Sequence, residues 1–405
     1  MVDSPKNQVP EKLSRRQSAV LIAALMTIAT GQSLVFAILA PLGREVDLGE
    51  LEITSIIALS ALVFAVAAPI WGRLSDRVGR KPIIITGLVG YTIGTLAFTS
   101  VFYAGLAGLL GGITLYLILL VVRCSQSLVM SATNPAAAAY AADHTSPEER
   151  TGAMAGLGTA NSLGTILGPA VSGALATFGL LAPLYIAAVM AAIAALIVWR
   201  MLPKAPALDR ASRSHSARLK ATDSRIALYI MTTVGIFIGF SGIQQTLGFQ
   251  LQDKLALDGI QTAQMTGAAL MVSAAFNFIT QVTVMQRLQL QAFTFIRMGL
   301  LFLCIGALML TASDSFIGLA LGMACLGVGL GLCVPAIAAG ASMAVTPHEQ
   351  GGTAGLVAAC TAFGFVAGPL CAGALYQVNG LFAPLFSATI FALVFAAVQI
   401  HKTRA

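Results

Sequence analysis

Residues 53–71 carry no charged side chain, and residues 82–122 carry none either. Uncharged runs of this length constrain the chain more than any other feature it has. A span of about 20 apolar residues matches the hydrocarbon core of a bilayer, whereas about 10–14 fit a buried helix of a soluble domain. In lipid only helices and closed barrels satisfy their own backbone hydrogen bonds. The runs lack the alternation of a barrel strand, so membrane-spanning helices are expected. Composition agrees: charged residues make up 10% of the chain, against about a quarter in ordinary soluble domains.

Charge clusters and Gly/Pro breaks divide the 405 residues into twelve expected spans, at 18–41, 53–71, 82–102, 112–142, 151–178, 181–201, 225–250, 261–286, 291–312, 315–342, 351–376 and 380–400. A polar stretch, 1–17, precedes them, and the first apolar run is too long for a signal-peptide core. Lys and Arg set the orientation, because they favour the cytoplasmic side. With a cytoplasmic N-terminus, 20 of the 23 basic residues fall at cytoplasmic loops and helix ends. Arg44 and Lys254 then fall outside, and Arg123 is left within the fourth span. An even number of spans returns the tail, 401–405, to the cytoplasm as well.

Residues 203–224 interrupt the apolar pattern with five basic residues against two acids, among Pro and Ser. They read as a cytoplasmic linker between two six-helix bundles, 18–202 and 225–400. A solvated linker beside anionic lipid explains that charge without nucleic acid. The bundles also repeat one another. "GTILGPAVSGAL" (164–175) and "GFVAGPLCAGAL" (364–375) align at an offset of 200, so Gly164, Gly168, Pro169 and Gly173 recur as Gly364, Gly368, Pro369 and Gly373. Glycine at four-residue spacing lets helices approach closely, and proline bends a helix. Both segments are therefore expected to be packing seams. Repeated halves around a central site are a transporter arrangement.

Between the second and third spans, "WGRLSDRVGRKP" (71–82) gathers Arg73, Asp76, Arg77, Arg80 and Lys81. Anchoring on the cytoplasmic side accounts for the four basic residues, but not for Asp76 or the two glycines. Together Gly72, Leu74, Asp76, Arg77, Gly79, Arg80 and Lys81 closely resemble the loop signature of the major facilitator superfamily. "RCSQS" (123–127) resembles that family's fourth-span motif, with Ser127 where Gly is usual. The fifth-span Gly-Pro segment resembles the drug/proton antiporter branch and departs from it at Ser172. "ADHTSPEERTGAMAG" (142–156) looks like that branch's loop between the fourth and fifth spans. The second half's counterpart of the signature, near "QRLQLQ" (286–291), keeps only Arg287. The resemblance covers essentially the whole chain.

What the resemblance implies is an all-α integral membrane protein: twelve transmembrane helices in two six-helix pseudo-repeated halves, the major facilitator fold. It would be a monomer in a plasma (bacterial inner) membrane. The resemblance further implies a conformational latch made of Gly72, Asp76, Arg77, Gly79, Arg80 and Lys81, with the Asp76 carboxylate meeting the amino end of the eleventh span near Gly351 to Thr353. A carboxylate at a helix amino end is worth about 0.3–1 kcal/mol when exposed and up to ~2 when partly buried. The cavity would be lined mainly by the first, fourth, seventh and tenth spans.

Arg123 reads as the lone intramembrane charge, and no acid lies within an expected span. Insertion scales put a charge there at about 2.5–3.5 kcal/mol, so Arg123 is a functional candidate with polar groups, water or a substrate anion as partner. The polar candidates for the cavity are Gln32 and Ser33, Gln126 and Asn134, Asn161, the adjacent pair Gln244 and Gln245, and Asn277 with Gln281. Adjacent residues on a helix face different ways, so at most one of the pair points squarely inward. Phe36, Phe240 and Phe249 are candidates for an apolar wall. No acid or histidine lies within a span; coupling is open between Asp143, a candidate proton site at the cytoplasmic edge, and Arg123 exchanging substrate for proton or anion, with uniport also open.

The function expected is secondary active export of a small organic molecule by proton antiport and alternating access. "IQQTLGFQLQDKLALD" (243–258) looks like a subset of bacterial exporters that includes siderophore exporters. Two alternatives remain open: an importer or uniporter of an anionic metabolite, which Arg123 favours, and a non-transporting receptor or assembly protein, which the complete Asp76 motif disfavours. An enzyme is not expected. "GLGTAN" and "GVGLG" lie inside spans, without the strand–turn–helix setting that phosphate binding needs. The six cysteines sit in apolar segments with no C-x-x-C pair, and the four histidines sit in polar stretches. No disulfide framework, metal or cofactor is expected from them.

Overall fold

The computed structural model describes residues 14–203, 222–287, 290–346 and 349–404, so residues 204–221 of the expected linker lie outside the described residues. Thirteen α-helices, and no strand, are present among the described residues. The first half holds α1 (Arg15–Arg44), α2 (Glu50–Val78), α3 (Arg80–Leu106), α4 (Gly112–Met130), α5 (Thr133–Asp143), α6 (Pro147–Leu175) and α7 (Ala182–Met201). The second holds α8 (Ala227–Leu255), α9 (Gly259–Arg287), α10 (Ala292–Ala312), α11 (Phe316–Met343), α12 (Gln350–Val378) and α13 (Phe382–Arg404).

Thirteen helices make twelve spans because α4 and α5 together form one, Gly112–Asp143. A single helix was expected there, and the difference has a local cause. A proline ring clashes with the carbonyl four residues back and offers it no N–H. Four residues before Pro135 is Ser131, where the helix breaks. Elsewhere the helices overrun the apolar runs by taking in charged and polar residues at their ends, as α2 does through Val78, and side chains outside the helices cap some of them. Ser14 and Gln17 form a capping box at the start of α1, with hydrogen bonds of 3.2 and 2.9 Å. Ser146 caps α6, with Pro147 in its first turn. The fifth span ends at Leu175 and passes into a short 3₁₀ turn, Ala176–Phe178. At the other end α13 runs on to Arg404, so the expected tail is helical up to that residue.

One residue separates α2 from α3. Gly79 has φ 101°, a conformation that glycine alone adopts at little cost. Eleven of the twelve spans are long and apolar enough to cross a membrane. The exception is α6, whose Gly, Ser, Thr and Asn content lowers its hydropathy.

There are two main cores. One gathers Leu21, Ile38, Leu88, Tyr91 and Tyr140 from the first half and takes in Phe249, Ala372 and Tyr376 from the second; the other gathers Ile236, Leu300, Met323 and Phe391 from the second half. Phe36 packs against both. Lipid tails are as apolar as leucine, so close packing at small residues, not hydrophobic burial, holds such helices together.

Both termini belong to one side of the bundle, the terminal side. The alternation of spans puts the ends of α1, α6, α8 and α12, and the starts of α2 and α9, on the far side. There the two halves touch. A Cβ on Gly373 of α12 would overlap Thr54 of α2, and one on Gly173 of α6 would come within 3.2 Å of the Gln264 carbonyl oxygen on α9. A Cβ on Gly248 of α8 would press on Ala40 of α1 at 2.7 Å. Toward the terminal side α6 and α12 are open. A Cβ on Gly152, Gly158, Gly351 or Gly355 would meet nothing within 4 Å, and Thr159, Ser162, Ala354 and Ala358 are exposed. The halves are packed together at the far end, while these terminal-side positions of α6 and α12 are left uncovered.

Candidate functional site

The contact between Ala40 and Gly248 fixes the register of α1 against α8. The two helices run in the same direction, and residues four apart share a face. One turn back from that contact Phe36 therefore lies opposite Gln244, and a further turn back Gln32 lies opposite Phe240. Phe240 packs on the core of the second half. Gln244 and Gln245 are only 8% and 6% exposed, yet Gln244 Oε1 and Gln245 Nε2 have no hydrogen-bond partner. Gln32 Nε2 reaches only the sulfur of Met130, at 3.7 Å, a weak acceptor. An unpaired buried amide costs about 1–3 kcal/mol, so these groups are open to a hydrogen-bonding partner. The seam between α1 and α8 is thus an apolar slot with unsatisfied amides near its closed end. Two other grooves, of about 180 Å³ between α1 and α7 and about 310 Å³ between α6 and α9, lie apart from it.

Other polar candidates are placed elsewhere. Arg123 is buried against α3: its Nη1 donates to Gln126 Oε1 at 2.7 Å, and its Cζ lies 5.5 Å from the Phe98 ring centre. Gln126 Nε2 in turn donates to Thr95 Oγ1 at 2.6 Å. This pair occupies the wall of the first half and not the seam with α8. Nor is Arg123 the only cation within a span, because Arg297 lies inside α10. Both guanidinium groups keep a buried Nε without a hydrogen-bond partner. Asn277 accepts from Gln281 at 2.6 Å on α9, Asn161 is half-buried on α6, and Asn134 keeps a buried, unpaired Oδ1. Phe249 is fully buried between the halves, 5.6 Å from the Tyr376 ring.

The signature loop forms a clamp on the terminal side. Arg80 Nη1 pairs with Asp76 Oδ1 at 2.6 Å, and Arg80 Nε pairs with Asp143 Oδ2 at 3.0 Å. The same Nη1 donates to Ser75 Oγ at 2.6 Å. One buried guanidinium so joins α2, α3 and α5, and the candidate proton site Asp143 is its partner. Lys81 Nζ donates to the Trp199 carbonyl oxygen at 2.7 Å, at the end of α7, where a cation suits the helix dipole. Gly72 lies beside Pro135, with room for a Cβ at 3.6 Å. Arg73 and Arg77 are exposed. On α12, Thr353 is buried and Gly351 exposed.

The repeated Gly-Pro segments make matching contacts. Ser33 Oγ donates to the Gly164 carbonyl oxygen at 3.1 Å, and Ser241 Oγ donates to that of Gly364 at 2.9 Å. A Cβ on Gly168 would come within 2.5 Å of the Thr30 carbonyl oxygen and overlap Ser33; one on Gly368 would do the same with Ile238, at 2.4 Å, and Ser241. Ser33 therefore serves the α1–α6 seam and does not line the cavity. Its twin, Ser241, escaped notice in the sequence, although Gly31-Gln32-Ser33 and Gly239-Phe240-Ser241 share a Gly-x-Ser pattern. Also missed was the group at the far end, where Arg44 meets Glu50 and Asp253, and Tyr376 meets Asp253. The available signal was Arg44 itself, one of only two basic residues expected outside.

A twelve-span bundle of two similar halves, with unsatisfied amides in the seam between them, is the architecture of a membrane transporter. The chain matches the family model of the Major Facilitator Superfamily over residues 20–345, and it belongs to that family. It is 24% identical over 401 residues to Multidrug resistance protein 2 of Bacillus subtilis (strain 168), covering 95% of each chain. Over 190 residues it is 32% identical to Tetracycline resistance protein, class B, of Escherichia coli, covering 45% of this chain and 43% of that one. Among solved structures, a bacterial homolog of the human lysosomal transporter Spinster, in an inward-facing and occupied conformation, matches with a TM-score of 0.76 at 13% identity, covering 95% of this chain and 96% of that one. That last likeness concerns the fold alone. The family makes the chain a multi-pass membrane transporter and not an enzyme.

Proposed function

We propose that the protein exports a small organic molecule by alternating access, driven by inward proton movement, as a monomer in a bacterial inner membrane. The observation that carries this reading is the packing of the halves at the far end, with α6 and α12 left uncovered at the terminal end. With both termini cytoplasmic, as the basic residues favour, the pose is open to the cytoplasm and ready to load. Relatives named for multidrug and tetracycline resistance support export over import.

The substrate enters the α1–α8 slot. Phe36 and Phe240 contact its apolar body, while Gln32 and Gln244 offer acceptors and donors together. Such a set suits neutral polar groups on an apolar frame. Arg123, held by Gln126 and Phe98, offers no contact at the slot, which weakens the anion-import reading. A siderophore remains one candidate cargo. On the cytoplasmic side Arg80 holds Asp76 in position to meet the amino end of α12 when the inner ends close. Proton exchange at Asp143 would loosen Arg80 and so couple the clamp to the gradient.

The test is transport in everted membrane vesicles with ethidium and tetracycline as probes. Accumulation that follows the pH gradient, collapses with a protonophore and is lost in Gln244→Ala supports the reading. Accumulation of neither probe above empty vesicles, alongside gradient-driven uptake in right-side-out vesicles, contradicts it.

A further inference from the structure

We propose that Arg44, Glu50, Asp253 and Tyr376 form the outer gate of this transporter, a charge pair arranged to part without stranding either charge. The inference rests on the inward-open reading above. Arg44 ends α1, in the first half. Its Nη1 donates to Asp253 Oδ1 and its Nη2 to Asp253 Oδ2, at 3.0 Å, on α8 of the second half. Two parallel bonds from a guanidinium fork to a carboxylate are the strongest directional pairing that side chains make. Arg44 Nη1 also donates to Gln252 Oε1 at 3.3 Å, and the cation lies 5.0 Å from the Phe249 ring centre. Directly beneath sit the Ala40–Gly248 contact and the unpaired amides of the slot. The group caps the closed end of the candidate cavity.

Its remaining bonds divide along the boundary between the halves. Arg44 Nη2 pairs with Glu50 Oε1 at 2.8 Å, within the first half. Tyr376 Oη donates to Asp253 Oδ2 at 2.7 Å, within the second. Breaking a buried ion pair is costly chiefly because it leaves a charge unpaired. When these halves part, Arg44 keeps Glu50 and Asp253 keeps Tyr376. Water adds to this, since the Arg44 and Asp253 side chains are 22% and 46% exposed. The neighbouring Lys254 does not compete for Asp253. Its Nζ donates to the carbonyl oxygens of Leu310, Thr311 and Ser313, at 2.8–3.0 Å. The gate is firm while closed, yet opening strands no charge.

The experiment places a reporter, Thr54→Cys, under the gate, in the full chain with its six native cysteines replaced by alanine. A membrane-impermeant maleimide is added outside right-side-out vesicles. Labelling is slow in this parent and faster by about tenfold, the effect of about 1.4 kcal/mol, in Arg44→Asp and in Asp253→Arg. Arg44→Lys, which keeps a cation between Glu50 and Asp253, stays near the parent rate. Charge-reversed variants at the parent rate, or Arg44→Lys as fast as Arg44→Asp, overturn the proposal. If a reversed charge prevents folding, Arg44→Gln and Asp253→Asn, close in size, are held to the same expectation, with elution as one sharp species showing the fold. The assay needs no substrate, so a failed gate stays distinct from a failed transport reading.

Discussion

The Ser33 hydroxyl on α1 donates to the Gly164 carbonyl oxygen on α6 at 3.1 Å, and 208 residues later Ser241 meets Gly364 in the same way. The contact relies on Gly168 and Gly368 having no Cβ. Overpacking a tight seam costs about 1–3 kcal/mol, whereas an interhelical hydrogen bond in a membrane averages ~0.6 kcal/mol. Gly168→Ala and Gly368→Ala should therefore lower the thermal midpoint in lipid-supplemented micelles well below that of Ser33→Ala. Gly355→Ala, into open space, should leave it unmoved.

Arg80 should matter more to stability than either of its partners. Its side chain is 9% exposed and that of Asp143 is 6% exposed. Arg80→Ala leaves Asp143 buried without its cation, at about 3–5 kcal/mol. Asp143→Asn keeps an acceptor for Arg80 and should cost less in the same unfolding assay. Asp76→Asn should unfold near the wild-type temperature but slow ethidium efflux, because the proposed latch needs the charge.

Gln244 tests whether the unpaired amides serve a ligand. Replacing a buried, unsatisfied polar group by an apolar one of similar shape is neutral or stabilising. Gln244→Met should melt at or above the wild-type temperature, while ethidium efflux falls by about tenfold, the effect of about 1.4 kcal/mol. A variant that loses stability and efflux together would point to a packing role instead.

One group on the terminal side gives a pH signature. Arg225 is bonded to Glu349 and Asp223. The Arg225 hydrogen bond, with help from Thr346, lowers the Glu349 carboxyl from 4.5 to about 2. The Asp223 carboxyl is lowered as well, chiefly by its side-chain hydrogen bond from Arg225. A depressed carboxyl adds stability that is fully present above its unfolded value and is lost as pH falls through the folded one. The difference in thermal midpoint between wild type and Glu349→Gln should hold steady from about pH 7 to 5. It should shrink between 4.5 and about 2.

The fold was readable because lipid imposes a simple rule on the chain. Uncharged runs bounded by Arg and Lys gave the spans, and the 200-residue Gly-Pro repeat gave the two halves. The break at Ser131 was missed because Pro135 sits in a run with no charge to mark it, and proline position, not composition, decides where a helix gives way. The site was less legible. A sequence shows that Arg123 and Gln126 are polar, but not that they bond to each other and turn toward α3. The Arg44–Asp253 pair spans 209 residues and two helix ends, and no local pattern joins them. Contacts between halves depend on the pose of the transporter, which spacing along one chain does not encode.

The central claim is that the halves exchange one closed end for the other. Double electron–electron resonance between paired spin labels tests it most directly, with one pair at Phe178 and Ile260 on the far side and another at Val78 and Ala354 on the terminal side. All four side chains are exposed. Two distance populations are predicted at each end, with opposite responses to pH and to tetracycline, so that the far pair lengthens as the terminal pair shortens. A single fixed distance at both ends, or ends that lengthen together, would contradict the account.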